Sequence, residues 1–66
     1  MRVYIVVRGE QHEGGSVMGA YSSYDKARYA ALGSKPSFGP WEEDPDEPDY
    51  WESGCDFVTV QDWEVE

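Results

Sequence analysis

The densest group of chemically capable side chains in this sequence is a run of carboxylates between residues 41 and 52. The run reads Trp-Glu-Glu-Asp-Pro-Asp-Glu-Pro-Asp-Tyr-Trp-Glu, and its seven acids fall within eleven residues. Pro45 and Pro48 exclude a regular helix or a central strand, so we expect an extended backbone. Alternate residues of an extended chain lie about 6–7 Å apart, which is the order of phosphate spacing along a nucleic-acid strand. The segment therefore predicts a row of charges that fits a groove lined by Lys and Arg.

Aromatic residues flank this acidic run and complete the predicted partner-binding site. In such a site the aromatic side chains are desolvated anchors, and the carboxylates steer the encounter. The predicted site residues are Trp41, Glu42, Glu43, Asp44, Asp46, Glu47, Asp49, Tyr50 and Trp51. The alternative is that the acids form a solvated loop that aids solubility, while the aromatic residues merely cover the core.

Calcium binding is a rival use of the same acids. Asp44 and Asp46 supply the Asp-x-Asp start of a calcium loop. That loop needs an oxygen ligand at its fifth position and Gly at its sixth, but Pro48 and Asp49 occupy those positions. The pattern fails there, so we expect no metal site and no cofactor.

The residue types used in catalysis are few and poorly placed. His12 lies near Glu10 and Glu13, two carboxylates that could orient an imidazole for base catalysis. A lone loop His is far more often a surface residue. Cys55 follows Gly54 at the start of a strand and is expected to be a small buried hydrophobe rather than a nucleophile. We therefore predict that the chain is not an enzyme.

The Gly-rich stretch around this histidine is a weak candidate for phosphate binding. Gly9, Gly14 and Gly15 lack the spacing of a phosphate-binding fingerprint, and no helix follows them directly. The stretch is instead typical of a hairpin loop.

Charge is distributed very unevenly along the 66 residues, whose formal net charge is -9. Residues 1–40 hold all five basic side chains and three acids, whereas residues 41–66 hold eleven acids and neither Lys nor Arg. The net negative charge opposes direct binding to nucleic acid or to an anionic membrane. This polarity predicts either a basic protein partner or pairing between copies of the chain as a homo-oligomer.

A second hypothesis uses the basic half of the chain. Two copies meeting across a symmetric interface would trap a nucleotide signal, with Arg side chains holding phosphate and Tyr rings stacking on bases. The residues available for this are Arg2, Arg8, Lys26, Arg28, Lys35, Tyr4, Tyr21, Tyr24 and Tyr29. The net charge opposes a phosphate ligand, so the acidic site is the preferred hypothesis.

The length predicts a single domain over residues 1–66, and the sequence offers neither a disulfide nor a zinc site to stabilise it. A lone Cys cannot form an internal disulfide, and one Cys with one His cannot complete a zinc site. The apolar stretch over residues 3–7 is too short for a signal peptide, and no run approaches the ~20 apolar residues of a membrane span. A soluble, cytoplasmic protein is therefore expected, stabilised by close packing or self-association.

The first half of the sequence predicts a hairpin followed by a helix. Residues 2–8 are β-branched and aromatic and predict a strand covered on both faces, and residues 17–21 predict a shorter one after the loop over residues 9–16. Ser22 or Ser23 is placed to cap the helix, and Ser22 with Asp25 resembles a capping box. Apolar residues at helical spacing from Tyr24 onward predict its buried side. Gly33 suits its C-terminal end.

The second half predicts a long acidic, aromatic loop and one more strand. Residues 34–54 lack periodicity, whereas residues 55–65 return to an apolar strand, with a bulge expected near Gln61 and Asp62. The predicted fold class is α+β, with the order β-β-α-loop-β and a three-stranded antiparallel sheet in the order 2-1-3. One helix would cover one face of the sheet, and the loop or a second copy would cover the other.

Residues 1–32 and 57–66 resemble small accessory proteins of phages and prophages. The resemblance lies in the opening Met-Arg-Val-Tyr-Ile-Val-Val, the Gly-rich turn, the Tyr-Ser-Ser end of the second strand with its Ala-rich helix, and the Trp-Glu of the last strand. It implies a viral context in which proteins of this size antagonise host defence, anti-CRISPR inhibitors among them. The expected function is a non-enzymatic inhibitor of a host nuclease complex or other nucleic-acid-binding protein, acting in the host cytoplasm.

Overall fold

The described part of the chain contains five strands and one helix. The structure is a computed structural model that describes residues 1–36 and 38–65, so Ser37 of the predicted loop and Glu66 of the predicted domain lie outside the described residues. The elements are β1 (Arg2–Glu10), β2 (Gly14–Tyr21), α1 (Tyr24–Gly33), β3 (Glu42–Glu43), β4 (Tyr50–Ser53) and β5 (Asp56–Glu64).

All five strands belong to one antiparallel sheet with the order β2-β1-β5-β4-β3. The α+β class is confirmed, and the predicted neighbours of the first strand are found on its two sides. The prediction of three strands is wrong, because the acidic segment itself forms two further strands beyond β5. Its prolines did not prevent this, since Pro45 and Pro48 lie in the turn between β3 and β4 rather than in a strand.

Two strand predictions differ in detail from the structure. The second strand begins at Gly14, because Gly14 and Gly15 extend the ladder opposite Glu10 and Gly9 and leave only a three-residue turn. The bulge expected near Gln61 is absent, since β5 runs in unbroken register with β1 from Arg2↔Glu64 to Glu10↔Asp56. The bulge lies instead in β2, where Met18 is the extra residue.

The helix covers one face of the sheet with its smallest side chains. Ala27 and Ala31 are both fully buried against Val6 and Val58, because an Ala stripe lets the helix approach the strands closely. The Ser23 hydroxyl caps the first turn by accepting a hydrogen bond from the Lys26 N–H at 3.3 Å. Ser22 and Asp25 are therefore not the capping pair, and Gly33 is the last helical residue rather than a left-handed stop.

Within residues 1–36 and 38–65, no helix lies on the opposite face of the sheet, and its cover by a second copy stays a prediction. Side chains alternate along a strand, so the neighbours of the buried Val6 and Val58 point to this second face. We call it the open face; its main residues are Val3, Ile5, Val7, Val17, Ala20, Tyr50, Phe57, Thr59 and Trp63. The long segment does not cover it, because that segment pairs at the sheet edge instead.

Candidate functional site: the acidic hairpin

The acidic segment folds as a β-hairpin, which we call the acidic hairpin (residues 42–53). Its two strands pair in the register Glu42↔Glu52 and Glu43↔Trp51, and the Asp44 N–H continues the ladder by donating to the Tyr50 carbonyl at 2.9 Å. Because β4 also pairs with β5, the hairpin extends the sheet rather than projecting as a loose loop. The sheet therefore fixes the positions of its carboxylates.

The turn of the hairpin is organised by its own first acid. The Asp44 carboxylate accepts hydrogen bonds from the backbone N–H groups of Asp46, at 2.8 Å, and Glu47, at 3.2 Å. This is the local capping behaviour that makes Asp favourable in turns. The predicted extended row of carboxylates is wrong, because this turn reverses the chain and gathers the acids around a hairpin tip.

Asp49 closes the turn and fastens it to two other elements. It has a positive φ of 63°, a conformation that Asp tolerates better than most residues. Its carbonyl accepts hydrogen bonds from the Val60 N–H at 3.0 Å and from the Thr59 hydroxyl at 2.8 Å. Its carboxylate accepts a hydrogen bond from the Tyr24 hydroxyl. That bond is the main reason why the pKa of Tyr24 is raised, and burial and the charge of Asp49 add to it.

Four carboxylates of the hairpin are exposed: Glu42, Glu43, Asp46 and Glu47. Within the described part of the chain, no Lys, Arg or N-terminal amine forms an ion pair with any of these four. The local field is strongly negative. Burial raises the pKa of the Tyr50 hydroxyl, and the charges of Glu52, Asp44 and Glu47 raise it further. The exposed acids are thus available for a cationic surface.

The aromatic residues of the predicted site occupy different positions from the acids. Trp51 is only 3% exposed and belongs to the core beneath the helix. Trp41 is half-buried, and its indole N–H donates to the Ser34 carbonyl at 2.8 Å. Neither ring is presented to a partner as a free anchor, and their packing agrees with the alternative that the aromatic residues cover the core.

Tyr50 is the one predicted aromatic anchor that faces away from the helix. Its ring is half-buried on the open face and stacks on Phe57, with 5.6 Å between ring centroids and 9° between planes. Gln11, Asp44, Glu47 and Glu52 line a shallow depression beside this pair. Any aromatic contribution of the acidic hairpin to partner binding comes from this ring.

Sequence reasoning missed the place of Glu52 in the site. Glu52 lies directly across from Glu42, so two like charges face each other in the ladder, an unfavourable pairing. The Gln11 side-chain amide donates a hydrogen bond to the Glu52 carboxylate. The aromatic pair Tyr50 and Trp51, which favours a strand, was the available signal for β4, but two residues are too few to stand out beside two prolines.

The arginines proposed for a nucleotide trap are engaged within the fold. Arg2 pairs with Asp62 and, at 3.4 Å, with Glu64. Arg8 is partly buried and donates to the Ser34 hydroxyl at 2.6 Å, while its second nitrogen lies 3.4 Å from Asp56.

Two arginines of this group also lie over aromatic rings. The Arg8 guanidinium lies 5.2 Å from the ring centre of Trp41, and that of Arg28 lies 5.9 Å from Trp51. The Tyr4 ring likewise packs edge-on against Tyr24. Among the described residues, Tyr21, Lys26 and Tyr29 line one open groove, but none of Arg2, Arg8 and Arg28 lines it.

The other candidate residues lie apart from the hairpin tip. His12 and Glu13 are exposed in the turn between β1 and β2, beside the exposed Glu10. Cys55 is exposed in the turn before β5, contrary to the expectation of a small buried hydrophobe. Over residues 1–36 and 38–65, no three His, Cys, Asp or Glu side chains are grouped so as to hold a metal ion.

No family model, curated protein or solved structure matches the chain. The resemblance to phage accessory proteins therefore stays a prediction. Within the described residues, no helix has both the length and the apolar character needed to cross a membrane.

Proposed function

We propose that the protein is a small acidic, non-enzymatic inhibitor that binds a basic, nucleic-acid-handling protein of a host cell through the acidic hairpin. The observation that carries the proposal is the set of exposed carboxylates that form no ion pair with any described residue, held by a hairpin that the sheet keeps in place. The target class is the host-defence machinery implied by the resemblance, including CRISPR effector complexes.

The distribution of cations supports a partner-directed role for this edge. Arg2 and Arg8 offset acids near the ends of β5, and none of the basic residues pairs with the exposed acids of the hairpin among the described residues. Clustered like charges destabilise a fold through mutual repulsion. A complementary basic surface would remove that cost on binding and would also speed association.

Mimicry of nucleic acid here depends on charge density rather than on a linear row. A site that holds phosphates with Lys and Arg is selective for concentrated negative charge. Glu42, Glu43, Asp46 and Glu47 present that charge from a rigid hairpin, and Tyr50 offers a ring beside it. The hairpin is therefore proposed to compete with DNA or RNA for the same groove.

The decisive experiment compares two variants of equal net charge. The hairpin variant neutralises Glu42, Glu43, Asp46 and Glu47 to the corresponding amides and leaves the structural acids Asp44 and Asp49 in place. The control variant neutralises Glu10, Glu13, Asp25 and Glu64, which are also exposed. Each is used as bait in bacterial lysate at low and at high salt, and the captured protein is then purified and tested for displacement of labelled DNA.

We expect the native chain and the control variant to capture one basic protein at low salt and to displace its DNA. The hairpin variant should do neither, although circular dichroism shows it folded. Equal loss of capture in both variants would show that binding depends on net charge alone and would contradict a specific role of the hairpin. Full displacement of DNA by the hairpin variant would overturn the proposal. A nucleotide released on heat denaturation, without a protein partner, would favour the nucleotide trap.

A further inference from the structure

The two edges of the sheet are built in opposite ways. The β3 edge is only two residues long, both of them Glu, with Pro40 before it and Asp44-Pro45 after it. Short length, charge and proline are the features by which proteins keep an edge strand from pairing with another chain. This edge is protected.

The β2 edge lacks those features. Its eight residues, Gly14–Tyr21, include no charged residue and no proline. Residues 14–18 are all exposed, and no atom lies within 4 Å of the position that a Cβ would take at Gly14. In an antiparallel ladder, backbone N–H and C=O groups alternate between the two sides of a strand. The outer side of β2 thus offers a row of donors and acceptors that another strand can fill.

Apolar side chains border the same edge. Val17 is 66% and Met18 is 55% exposed in β2, and Tyr29 is 84% exposed on the flank of α1. Tyr21, Tyr29 and Ala30 line an apolar groove between the helix and β2, with the opposite charges of Asp25 and Lys26 at its rim. A two-fold axis brings the same patch of both copies together, so Asp25 of one copy can lie near Lys26 of the other.

We propose that β2 is the interface of a homodimer, in which two copies pair antiparallel along Gly14–Tyr21 and form one continuous ten-stranded sheet. The occupant of this edge is a second copy because the charge distribution of the chain favours that arrangement. The strand order β3-β4-β5-β1-β2 places the acidic hairpin at the far edge from β2.

The spacing of strands gives the separation of the two acidic hairpins. Nine strand spacings of ~4.8 Å separate the two copies of β3, which is roughly 43 Å. Salt screens charges beyond a Debye length of about 8 Å at physiological ionic strength. Two chains of net charge -9 can thus meet along β2 without bringing their acidic hairpins together. The bulge at Met18 adds twist near the middle of the strand and leaves regular pairing on each side of it.

The test compares Met18→Lys with Trp63→Lys. Both positions are 55% exposed and both changes add one positive charge, but Trp63 lies on the open face rather than at the β2 edge. Oligomeric state is measured by analytical ultracentrifugation over a concentration series, with circular dichroism to verify folding. A lysine near the two-fold axis faces its own copy, so Met18→Lys should raise the dimer dissociation constant about tenfold or more. Trp63→Lys should leave it unchanged.

A native chain that is monomeric throughout the series would overturn the proposal. Dissociation by Trp63→Lys and not by Met18→Lys would also overturn it, since the open face would then be the interface. A spin label at Glu43→Cys, in a Cys55→Ser background, gives a second measurement. Pairing along β2 predicts a distance of roughly 43 Å between the two labels, whereas a distance below about half of that would contradict it.

Discussion

The hydroxyl of Tyr24, in the first turn of α1, donates a hydrogen bond to the carboxylate of Asp49, which closes the turn of the acidic hairpin. Because Asp49 also accepts two hydrogen bonds from β5, this one residue connects the hairpin to the helix and to the central sheet. The position of the exposed acids therefore depends on a phenol that must keep its proton.

Stability is expected to fall at alkaline pH, and Tyr24 is a principal cause. The pKa of Tyr24 in the folded state is raised, first by the bond to Asp49 and then by burial. The contribution of this group to the free energy of unfolding is complete below about pH 10, the value for free Tyr, and is lost as pH rises through the higher folded pKa. Urea unfolding measured across this range should show the loss, and Tyr24→Phe should reduce its size.

The replacement of Tyr24 by Phe should also lower stability at neutral pH by about 1–2 kcal/mol, because a hydrogen bond to a charged acceptor is removed. Tyr29→Phe is the matched control, since that ring is 84% exposed. An equal effect of the two changes would show that the bond to Asp49 contributes nothing.

Trp51→Ala should be among the most damaging single changes. The ring is 3% exposed beneath the helix, and large-to-small changes of a buried Trp cost about 3–5 kcal/mol. Trp63→Ala should cost under about 1 kcal/mol, because that ring is 55% exposed. Thermal unfolding of both variants checks the contrast, and similar losses would mean that Trp51 is not a core residue.

Two glycines should respond in opposite directions to alanine. Gly54 has a positive φ of 63°, and a Cβ there would collide with the ring of Phe38. Gly54→Ala should destabilise the protein by about 1–2 kcal/mol, the cost of a left-handed conformation. Gly33 ends the helix with no atom near an added Cβ, so Gly33→Ala should stabilise by about 0.4–1 kcal/mol. Urea midpoints decide the signs.

Added salt should stabilise the fold. The exposed acids of the hairpin repel one another, and raising the ionic strength from 0.01 to 1 M shortens the Debye length from about 30 to about 3 Å. Melting temperature should therefore rise with NaCl concentration. Neutralising Glu42, Glu43, Asp46 and Glu47 should remove most of that rise, and a salt response that persists unchanged would place the repulsion elsewhere.

Part of this architecture could be predicted from residue patterns because its signals are local and repeated. The β-branched run of β1 and the Ala stripe of α1 are such signals, and both elements are found where the sequence predicts them. The sequence does not predict β4. Its four residues form a strand because they pair with β5, which lies in the interior of the sheet. Strand pairing between distant segments leaves no periodic trace in so short a piece of chain.

The acids of the candidate site could be predicted, but the roles of individual residues could not. Composition alone identifies the carboxylates of residues 42–52 as a group. It does not show that Glu47 is exposed, whereas the Asp44 carboxylate accepts the hydrogen bonds that form the turn. Because Trp51 lies next to the acids in the sequence, it is predicted to contact the partner. Its true position depends on strand parity, which places it on the same face as Val58.

The pairing of β1 with β5 has a consequence for biosynthesis. During translation, the residues before Asp56 leave the exit tunnel before β5 does. Until β5 follows, β1 and β2 form only a two-stranded hairpin, whose stability is marginal on its own. The acidic segment has no strand to pair with until β5 emerges between the two halves of the sheet. Translation that stops before β5 should therefore leave an unfolded product for cellular proteases, and mature tertiary structure should appear only after the last strand has left the exit tunnel.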